Sequence, residues 1–456
     1  MEEVRTVSEP ITATGKASSM DAISKAATEG SKVKGKALLE RTHQIFPQID
    51  LQKKHQLWLY FKTALSSPSA ITKGHDIYGN VFEGPNFATQ DYLGLNSTPE
   101  VREVAIKVVK EFGVHSGGAA LAFGTHPWYL DFQKEVADYW GVKSVILYST
   151  GWMAGFGVIK GLIRPYDHII MDRLAHNCLQ EGAKAATKNV HITEHLNVKD
   201  MAAKLKEIRS QDNENAILVV TESLFSMDSD TPDLAYLQKE CKKYDAFLLI
   251  DMAHDFGSVG KVGLGALENQ GITDLSNIIL IGSGSKVLSS NIGFVGCMDE
   301  KAIEYMRYFS SPYMFSNVVA PPQCAVALHN LRVAKSQKGA ELRQKVMDNA
   351  IYLREQLTKR GFEVVGNPSP IVILLTGEEL LSRIVTRLML NSGVIVNGIE
   401  YPIVPKGKAR LRLQLQATHT REHLDLFIET FIKSYDDAQK ITANLSSYIE
   451  ETKAKL

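Results

Sequence analysis

The feature that most restricts this chain is a series of short, unbroken apolar runs between residues 144 and 297. They are SVILYS (144–149), HIIM (168–171), AILVV (216–220), FLLID (247–251), NIILIG (277–282) and GFVGC (293–297). A strand with one face in water alternates apolar and polar residues, whereas a strand apolar throughout is covered on both faces. Amphipathic segments such as MAAKLKEIRS and DLAYLQKECKKY separate most of the runs. That alternation predicts a parallel or mostly parallel sheet with helices on both sides. Only a Gly/Ser linker carrying Lys286 separates the last two runs. It is too short for a parallel crossover, so these two strands should be antiparallel neighbours.

Ahead of the runs, STPEVREVAIKVVKEFG predicts a helix with Thr98 as N-cap and Pro99 in its first turn. After APPQCAVALHNLRVAKS the pattern changes. A long charged helix (about 338–360), strand-like PIVILLTG, a helix at 378–391, GVIVNGIEYPIVP, ARLRLQLQ and a terminal helix from about 420 predict a smaller α+β domain. The expected organisation is an N-terminal extension and arm (1–79), a large domain (80–325), a small domain (326–445) and a polar tail (446–456). The first 40 or so residues, rich in Ser, Thr and Ala, are expected to be mobile.

Charge narrows the function. Lys+Arg and Asp+Glu are both 51, which leaves no electrostatic footprint for nucleic acid or an anionic membrane. The four cysteines have no CxxC spacing and read as reduced thiols. No stretch reaches the roughly 18 apolar residues of a membrane span. The N-terminus lacks an apolar h-region, and Glu2 and Glu3 fit a transit peptide poorly, so the expected location is cytoplasmic.

In open α/β sheets, chemistry gathers at the carboxyl ends of the strands. SVILYS runs into Thr150-Gly151-Trp152, and HIIM into Asp172 with His176 beyond. AILVV runs into TESLFSMDSD, FLLID ends at Asp251 with His254 and Asp255 following, and NIILIG leads to Lys286. Pyridoxal phosphate needs such a set. It requires an amine for a Schiff base, a buried carboxylate for the pyridine nitrogen, a ring against its face and backbone N–H groups for its phosphate. Asp251-x-x-His254-Asp255 could pass for a metal cluster, but no further ligand group has recognisable spacing, and no metal is expected.

Eight collinear stretches carry a resemblance to a known family. They are QDYLGL (90–95), YSTGWMAG (148–155), DRLAHNCLQEG (172–182), TESLFSMDSD (221–230), DMAHDFGSVGKVGLG (251–265), GSGSKVLSS (282–290), SSPYMFSNVVAPP (310–322) and YPIVPKGKARLRLQLQATHT (401–420). With them the chain resembles the α-oxoamine synthases, a branch of the fold-type I pyridoxal-phosphate enzymes. The resemblance implies a large domain with a mostly parallel seven-stranded sheet covered by helices, plus a smaller α+β C-terminal domain. It also implies a homodimer with an interfacial active site.

Carried over residue by residue, Lys286 matches the Schiff-base lysine that also moves the Cα proton. Asp251 matches the pyridine-nitrogen carboxylate, and His254 and Ser226 match the residues near the cofactor's phenolic oxygen. His176 matches the histidine stacked on the ring. Gly151 and Trp152 resemble the phosphate turn, with Ser283 and Ser285 lining the lysine loop, and Ser316 matches the segment that reaches the neighbouring subunit's phosphate. Arg412 matches the arginine that holds the amino acid's carboxylate, a task suited to a bidentate fork. Arg410 shares its strand face, and the choice of Arg412 rests on its register to His419.

The implied reaction is a decarboxylative condensation of a small α-amino acid with an acyl-CoA or carrier-protein thioester, giving an α-aminoketone, CO2 and free thiol. YSTGW, SKVLSS, GFVG and QATHT look like serine palmitoyltransferase, of sphingolipid biosynthesis, while SSPYMFSN and YPIVPKGKARLR look more like glycine C-acetyltransferase. An 8-amino-7-oxononanoate synthase-like activity is a further alternative, and an inactive partner subunit an alternative of another class. Phe123, Trp128 and Trp152 would suit a long acyl chain. Departures from the family pattern are Ala120 for an arginine, Tyr129 and Gln133 for His and Glu, Met252 for an acid, and SSNIG (289–293) where a glycine pair is typical. They bear on the acyl donor more than on the cofactor. His115 and His126 have no assigned role.

Overall fold

The computed structural model describes residues 34–453. Most of the stretch expected to be a mobile extension lies outside the described residues. Three short strands come first: β1 (Thr63–Ala64), β2 (Ile71–His75) and β3 (Val81–Pro85), an antiparallel sheet in chain order. In β2, buried Thr72 and Gly74 alternate with exposed Ile71 and Lys73, as expected of strands with one wet face.

The apolar runs form the central sheet, with β4 (Ser144–Tyr148), β5 (His168–Asp172), β6 (Val190–Thr193), β7 (Ile217–Glu222), β8 (Phe247–Asp251), β9 (Ile278–Ser283) and β10 (Gly293–Cys297). Their order is β4-β10-β9-β8-β7-β5-β6. Every residue of β7 and β9 is buried, because helices cover both faces. The sheet is parallel from β9 to β6, and β10 runs antiparallel to both β9 and β4. The short lysine linker therefore does what its length dictates. It turns the chain back on itself and leaves Lys286 at the rim where the parallel strands end.

The seventh strand, β6, has no apolar run to announce it. It lies at the sheet's edge, where His191 and Ile192 remain partly in solvent. Thr98 occupies the N-cap of helix Pro99–Phe112 as expected, but its side chain caps nothing. Its Oγ1 donates to Leu95 O at 3.0 Å instead of accepting from a helix amide.

The smaller sheet contains β11 (Val364–Val365), β12 (Ile371–Gly377), β13 (Gly398–Ile399) and β14 (Ala409–Gln414), all antiparallel, in the order β11-β12-β14-β13. Helices Gln337–Lys359 and Glu379–Asn391 accompany it, and helix Arg421–Lys453 extends into the segment expected as a polar tail. The N-terminal arm docks here. Arg387 reaches Asp76 at 2.6 Å and the Gln56 carbonyl at 2.7 Å, and Arg383 pairs with Glu400 and donates to Leu57 O. Buried arginines need such charged or carbonyl partners, since an unpaired buried charge costs several kcal/mol; of these two, Arg387 Nη2 alone is left without one among the described residues.

Among the described residues no helix is long and apolar enough to cross a membrane. No group of three or more His, Cys, Asp or Glu side chains there is arranged to hold a metal ion.

Candidate active site

The rim of the central sheet brings together side chains far apart in sequence. Asp251 ends β8 and Glu222 ends β7, directly opposite in register, so two buried carboxyls sit side by side. Burial raises the Asp251 pKa, opposed by His176, by the Ala253 N–H and by Lys286. Burial also pushes Glu222 well above the usual carboxylate range, and Asp251 adds to the shift. Lys286 lies within reach of this pair. Loss of solvation lowers its amine pKa, while Asp251, Cys178 and Glu222 draw it back up. A lysine in that state is partly primed as a base.

His176 is the N-cap of helix Asn177–Ala186, where its Nδ1 accepts from the Cys178 amide at 3.3 Å. The same Nδ1 lies 3.0 Å from Cys178 Sγ, and although the residue keeps an exposed face, partial loss of solvation lowers its pKa. His254 is buried one turn beyond Asp251, with Nδ1 2.8 Å from Tyr92 Oη. Burial, with Lys286, Arg412 and His176 nearby, holds its pKa well below the ordinary value, so the ring is neutral.

Thr150 caps helix Gly151–Leu162 by accepting from Met153 N at 3.1 Å. This leaves the first turn of the helix beside β9. A Cβ on Gly151 would lie 2.5 Å from Ser283 Oγ, so the position tolerates only glycine. Close backbone approach at a helix N-terminus is what a phosphate cradle requires. Trp152 is 43% exposed, stacks on Phe156 and donates to Asn177 Oδ1 at 3.2 Å. Ser226 is buried in the turn after β7. Beside Lys286 opens a cleft of about 300 Å³, lined by Asp91, Asn96, Ser285, Ser290, Asn291 and Gln323 among others.

The two arginines of β14 are now told apart. Arg410 is buried and spent: its Nη1 meets Asp228 Oδ1 at 2.6 Å and Met227 O at 2.7 Å. Arg412 has only the Met227 sulfur, 3.7 Å from Nη1, and its Nε is buried without a partner among the described residues. A guanidinium left unsaturated in a desolvated place is a carboxylate site awaiting its ligand. The residues therefore fit pyridoxal phosphate and an amino acid: a glycine-walled helix terminus for phosphate, a buried acid pair for a ring cation, an open imidazole face, an amine and a free arginine fork.

The relation to known proteins agrees with this geometry. Residues 84–431 match the family model described as aminotransferase class I and II. The chain is 30% identical over 374 residues to 8-amino-7-oxononanoate synthase of Thermoanaerobacter pseudethanolicus, covering 81% of this chain and 91% of that one. It is also 30% identical over 353 residues to serine palmitoyltransferase of Sphingobacterium spiritivorum, covering 77% and 87%. The solved serine palmitoyltransferase variant of S. paucimobilis with bound PLP–myriocin superposes with a TM-score of 0.82 at 24% identity, covering 89% of this chain and all of that one.

The chain belongs to the aminotransferase class I and II family. Within it, the chain is an α-oxoamine synthase, a pyridoxal-phosphate-dependent acyltransferase with the fold-type I architecture.

In this α-oxoamine synthase the rim gathers Lys286, Asp251, His176 and His254, with Gly151 and Ser283 in contact range of one another. Ser285 is exposed at the mouth of the cleft. Ser316 stands apart, against Ala120, Tyr129 and Tyr313, and no polar contact ties it to the Lys286 group. Trp128 is taken up by Phe112 edge-on at 5.0 Å while Phe123 is 97% exposed, so the three aromatics form no common lining within one chain. The departures at Tyr129 and Gln133, and the unassigned His126, make structural contacts within the chain. His126 caps its helix and bonds Val319 O at 2.9 Å, Gln133 donates to Val145 O at 2.9 Å, and Tyr129 Oη meets Tyr313 Oη at 3.4 Å. His115 accepts locally from Gly117 N.

Sequence reasoning gave no role to Glu222, Tyr92 or Gln414. Glu222 had a usable signal, since it is the last residue of a continuous apolar strand. Tyr92 and Gln414 lie in two of the stretches that carry the resemblance, but their pairing depends on a contact spanning 322 residues.

Proposed function

We propose that the chain condenses a small α-amino acid, serine being favoured, with an acyl-CoA or carrier-protein thioester, and releases an α-aminoketone, CO2 and free thiol. The observation that carries this reading is Arg412: a half-buried guanidinium whose Nε is buried without a partner among the described residues, beside a desolvated lysine and a buried acid pair. Lys286, Asp251, His176, His254, Ser226, Gly151, Trp152, Ser283 and Ser285 would hold the cofactor, with Ser316 contributed toward a second copy. When bound, pyridoxal phosphate supplies the electron sink that stabilises a carbanion at Cα. Arg412 binds and orients the substrate carboxylate. The Lys286 Nζ, low in pKa for want of solvation, takes the Cα proton and later returns one. Asp251 would supply the negative charge that compensates a protonated ring nitrogen. Neutral His254 and Ser226 would offer hydrogen bonds near the reacting centre, and His176 would cover one face of the cofactor ring and exclude water.

The acyl donor is part of the proposal. A serine palmitoyltransferase activity in sphingolipid biosynthesis and an 8-amino-7-oxononanoate synthase-type activity each have a 30% identical namesake. The working arrangement is a cytoplasmic homodimer, supported by apolar side chains left bare beside the glycine-rich loop, Phe123 at 97% and Phe315 at 80% exposure. The chain divides near residues 80, 325 and 445 in this reading.

The test starts with purified protein and pyridoxal phosphate. A visible absorption band that appears in wild type and is absent in Lys286→Ala is expected. Serine, alanine and glycine are then supplied singly with palmitoyl-CoA, pimeloyl-CoA or acetyl-CoA, and free thiol is measured. Thiol release with serine and palmitoyl-CoA supports the favoured reading, and release only with alanine and pimeloyl-CoA would replace it. A cofactor band without thiol release from any pair would defeat the condensation.

A further inference from the structure

Tyr92 is wholly buried where the central sheet's rim meets the smaller sheet. Its hydroxyl lies 2.8 Å from His254 Nδ1 and 3.4 Å from Gln414 Oε1. Gln414 cannot exchange the two ends of its amide freely, because its Nε2 already donates to Ala88 O at 3.1 Å. A phenol has one proton, so it donates to one neighbour only. Two wirings are possible. In one, Tyr92 donates to His254 Nδ1, and the single proton of the neutral imidazole sits on Nε2. In the other, Tyr92 donates to Gln414 and receives the Nδ1 proton of His254, leaving Nε2 bare.

Distance separates them. Hydroxyl hydrogen bonds cluster near about 2.7–2.8 Å, and contacts beyond about 3.0 Å lie outside their usual range. The contact to His254 is of the first kind and the contact to Gln414 of the second. Burial keeps both partners neutral, raising the phenol's pKa and lowering the imidazole's. The groups whose charge acts on the ring are Lys286, Arg412 and His176, and Nε2 has no hydrogen-bond partner among the described residues.

We propose that Tyr92 is a positioning residue that fixes the tautomer of His254, holding the ring's proton on Nε2 as a hydrogen-bond donor to an anionic oxygen bound beside Lys286. The tautomer is a property of the chain alone, and its use rests on the reading of the site given under Proposed function. A second-sphere donor of this sort is what decides which imidazole nitrogen faces the chemistry. Without it the ring samples both tautomers, and one of them presents a lone pair to the anionic oxygen.

Histidine-selective 15N labelling of the cofactor-free chain reads the tautomer through two-bond 1H–15N correlations, with His254 assigned by its loss in His254→Asn. Wild type is expected to show a bare Nδ1 and a protonated Nε2. Tyr92→Phe, an isosteric change, should convert this to a mixture, and Gln414→Leu should leave it unaltered. A protonated Nδ1 in wild type, an unchanged pattern in Tyr92→Phe, or a switch caused by Gln414→Leu would each overturn the wiring. Should Tyr92→Phe fail to fold, the wild-type and Gln414→Leu spectra still decide.

With pyridoxal phosphate added, the absorption maximum of Tyr92→Phe should move relative to wild type. Its kcat should fall about tenfold or more, with the amino-acid KM within about twofold because Arg412 is untouched. An unmoved maximum would overturn the donor role. Failure of wild type to take up the cofactor falls instead on the reading of the site, since the tautomer is measured without it.

Discussion

Two groups of charged side chains occupy the same rim and are wired in opposite ways. In one, His195 sits between Asp172 at 3.0 Å and Asp230 at 3.1 Å, and Asp172 also accepts the Leu174 and Leu196 amides at 2.8 Å. Nearly every donor there has an acceptor. In the other, half-buried Lys286 and Arg412 and buried His254 stand with the buried Asp251–Glu222 pair, yet Arg412 Nε is buried without a partner among the described residues. Desolvation without internal compensation is costly and is retained where a ligand completes the network. The contrast separates scaffold from site more sharply than burial or charge does. It implies that substitutions in the open group should change chemistry, and substitutions in the closed group should change stability.

The largest effect expected is at Lys286. Lys286→Ala should lower thiol-releasing turnover by about 10³-fold or more, with the thermal midpoint of the cofactor-free protein unchanged or raised, because a desolvated amine has been removed. Turnover within tenfold of wild type would break the comparison at its centre.

Arg410 and Arg412 give the same test within one strand. Arg412→Lys keeps the charge but loses the fork, and should raise the amino-acid KM by about 10- to 100-fold with little change in melting. Arg410→Ala leaves Asp228 and the Met227 carbonyl without their donor, and should cost about 3 kcal/mol in denaturant titration. If Arg410→Ala raised KM and Arg412→Lys melted the protein, the two roles would be reversed.

This pair also marks what could be read in advance. The apolar runs dictate the central sheet because burial on both faces leaves a continuous signature, and the short linker dictates the antiparallel turn at Lys286. β6 escapes because an edge strand need not be apolar, and β1–β3 escape because Thr72, Lys73 and Gly74 carry no apolar alternation. Lys286, Asp251 and His254 were legible because they end strands or follow them closely. The difference between Arg410 and Arg412 was not, because period-two geometry gives both the same face and only the Met227–Asp228 turn, about 180 residues away, tells them apart.

The closed group should respond to pH. Its two carboxylates raise the His195 pKa from 6.5 to about 10 against the opposing effect of burial, which is the larger single influence. A pKa raised on folding contributes stability that is fully present below the unfolded value and lost as pH rises through the folded one. Stability should therefore fall between about pH 6.5 and 10, by at most about 1.4 kcal/mol per pH unit. Urea titrations of wild type and His195→Gln across that range check it: the variant should be less stable at pH 6 and should lack this component of the slope. Parallel curves would show that the triad is not charged in the folded protein.

Near pH 5 Glu222→Gln should have the smallest effect, and it tests whether the open group is as undercompensated as its contacts suggest. Glu222 is buried at 4% exposure and stands beside Asp251 on the neighbouring strand, with the His176 backbone amide opposing the rise in its pKa. Burial first and Asp251 second push its pKa up, so the folded protein carries it largely as the neutral acid. A neutral glutamine of the same shape keeps the acceptor for His176 and removes a group that ionises more readily when the chain unfolds. By the same linkage that governs His195, the wild-type contribution is complete below about pH 4.5 and lost above it. The variant should therefore match wild type within about 1 kcal/mol near pH 5 and gain on it as pH rises. A variant that loses ground with rising pH would mean Glu222 is ionised in the folded state, held by Lys286, and the open group would then contain an ion pair of its own.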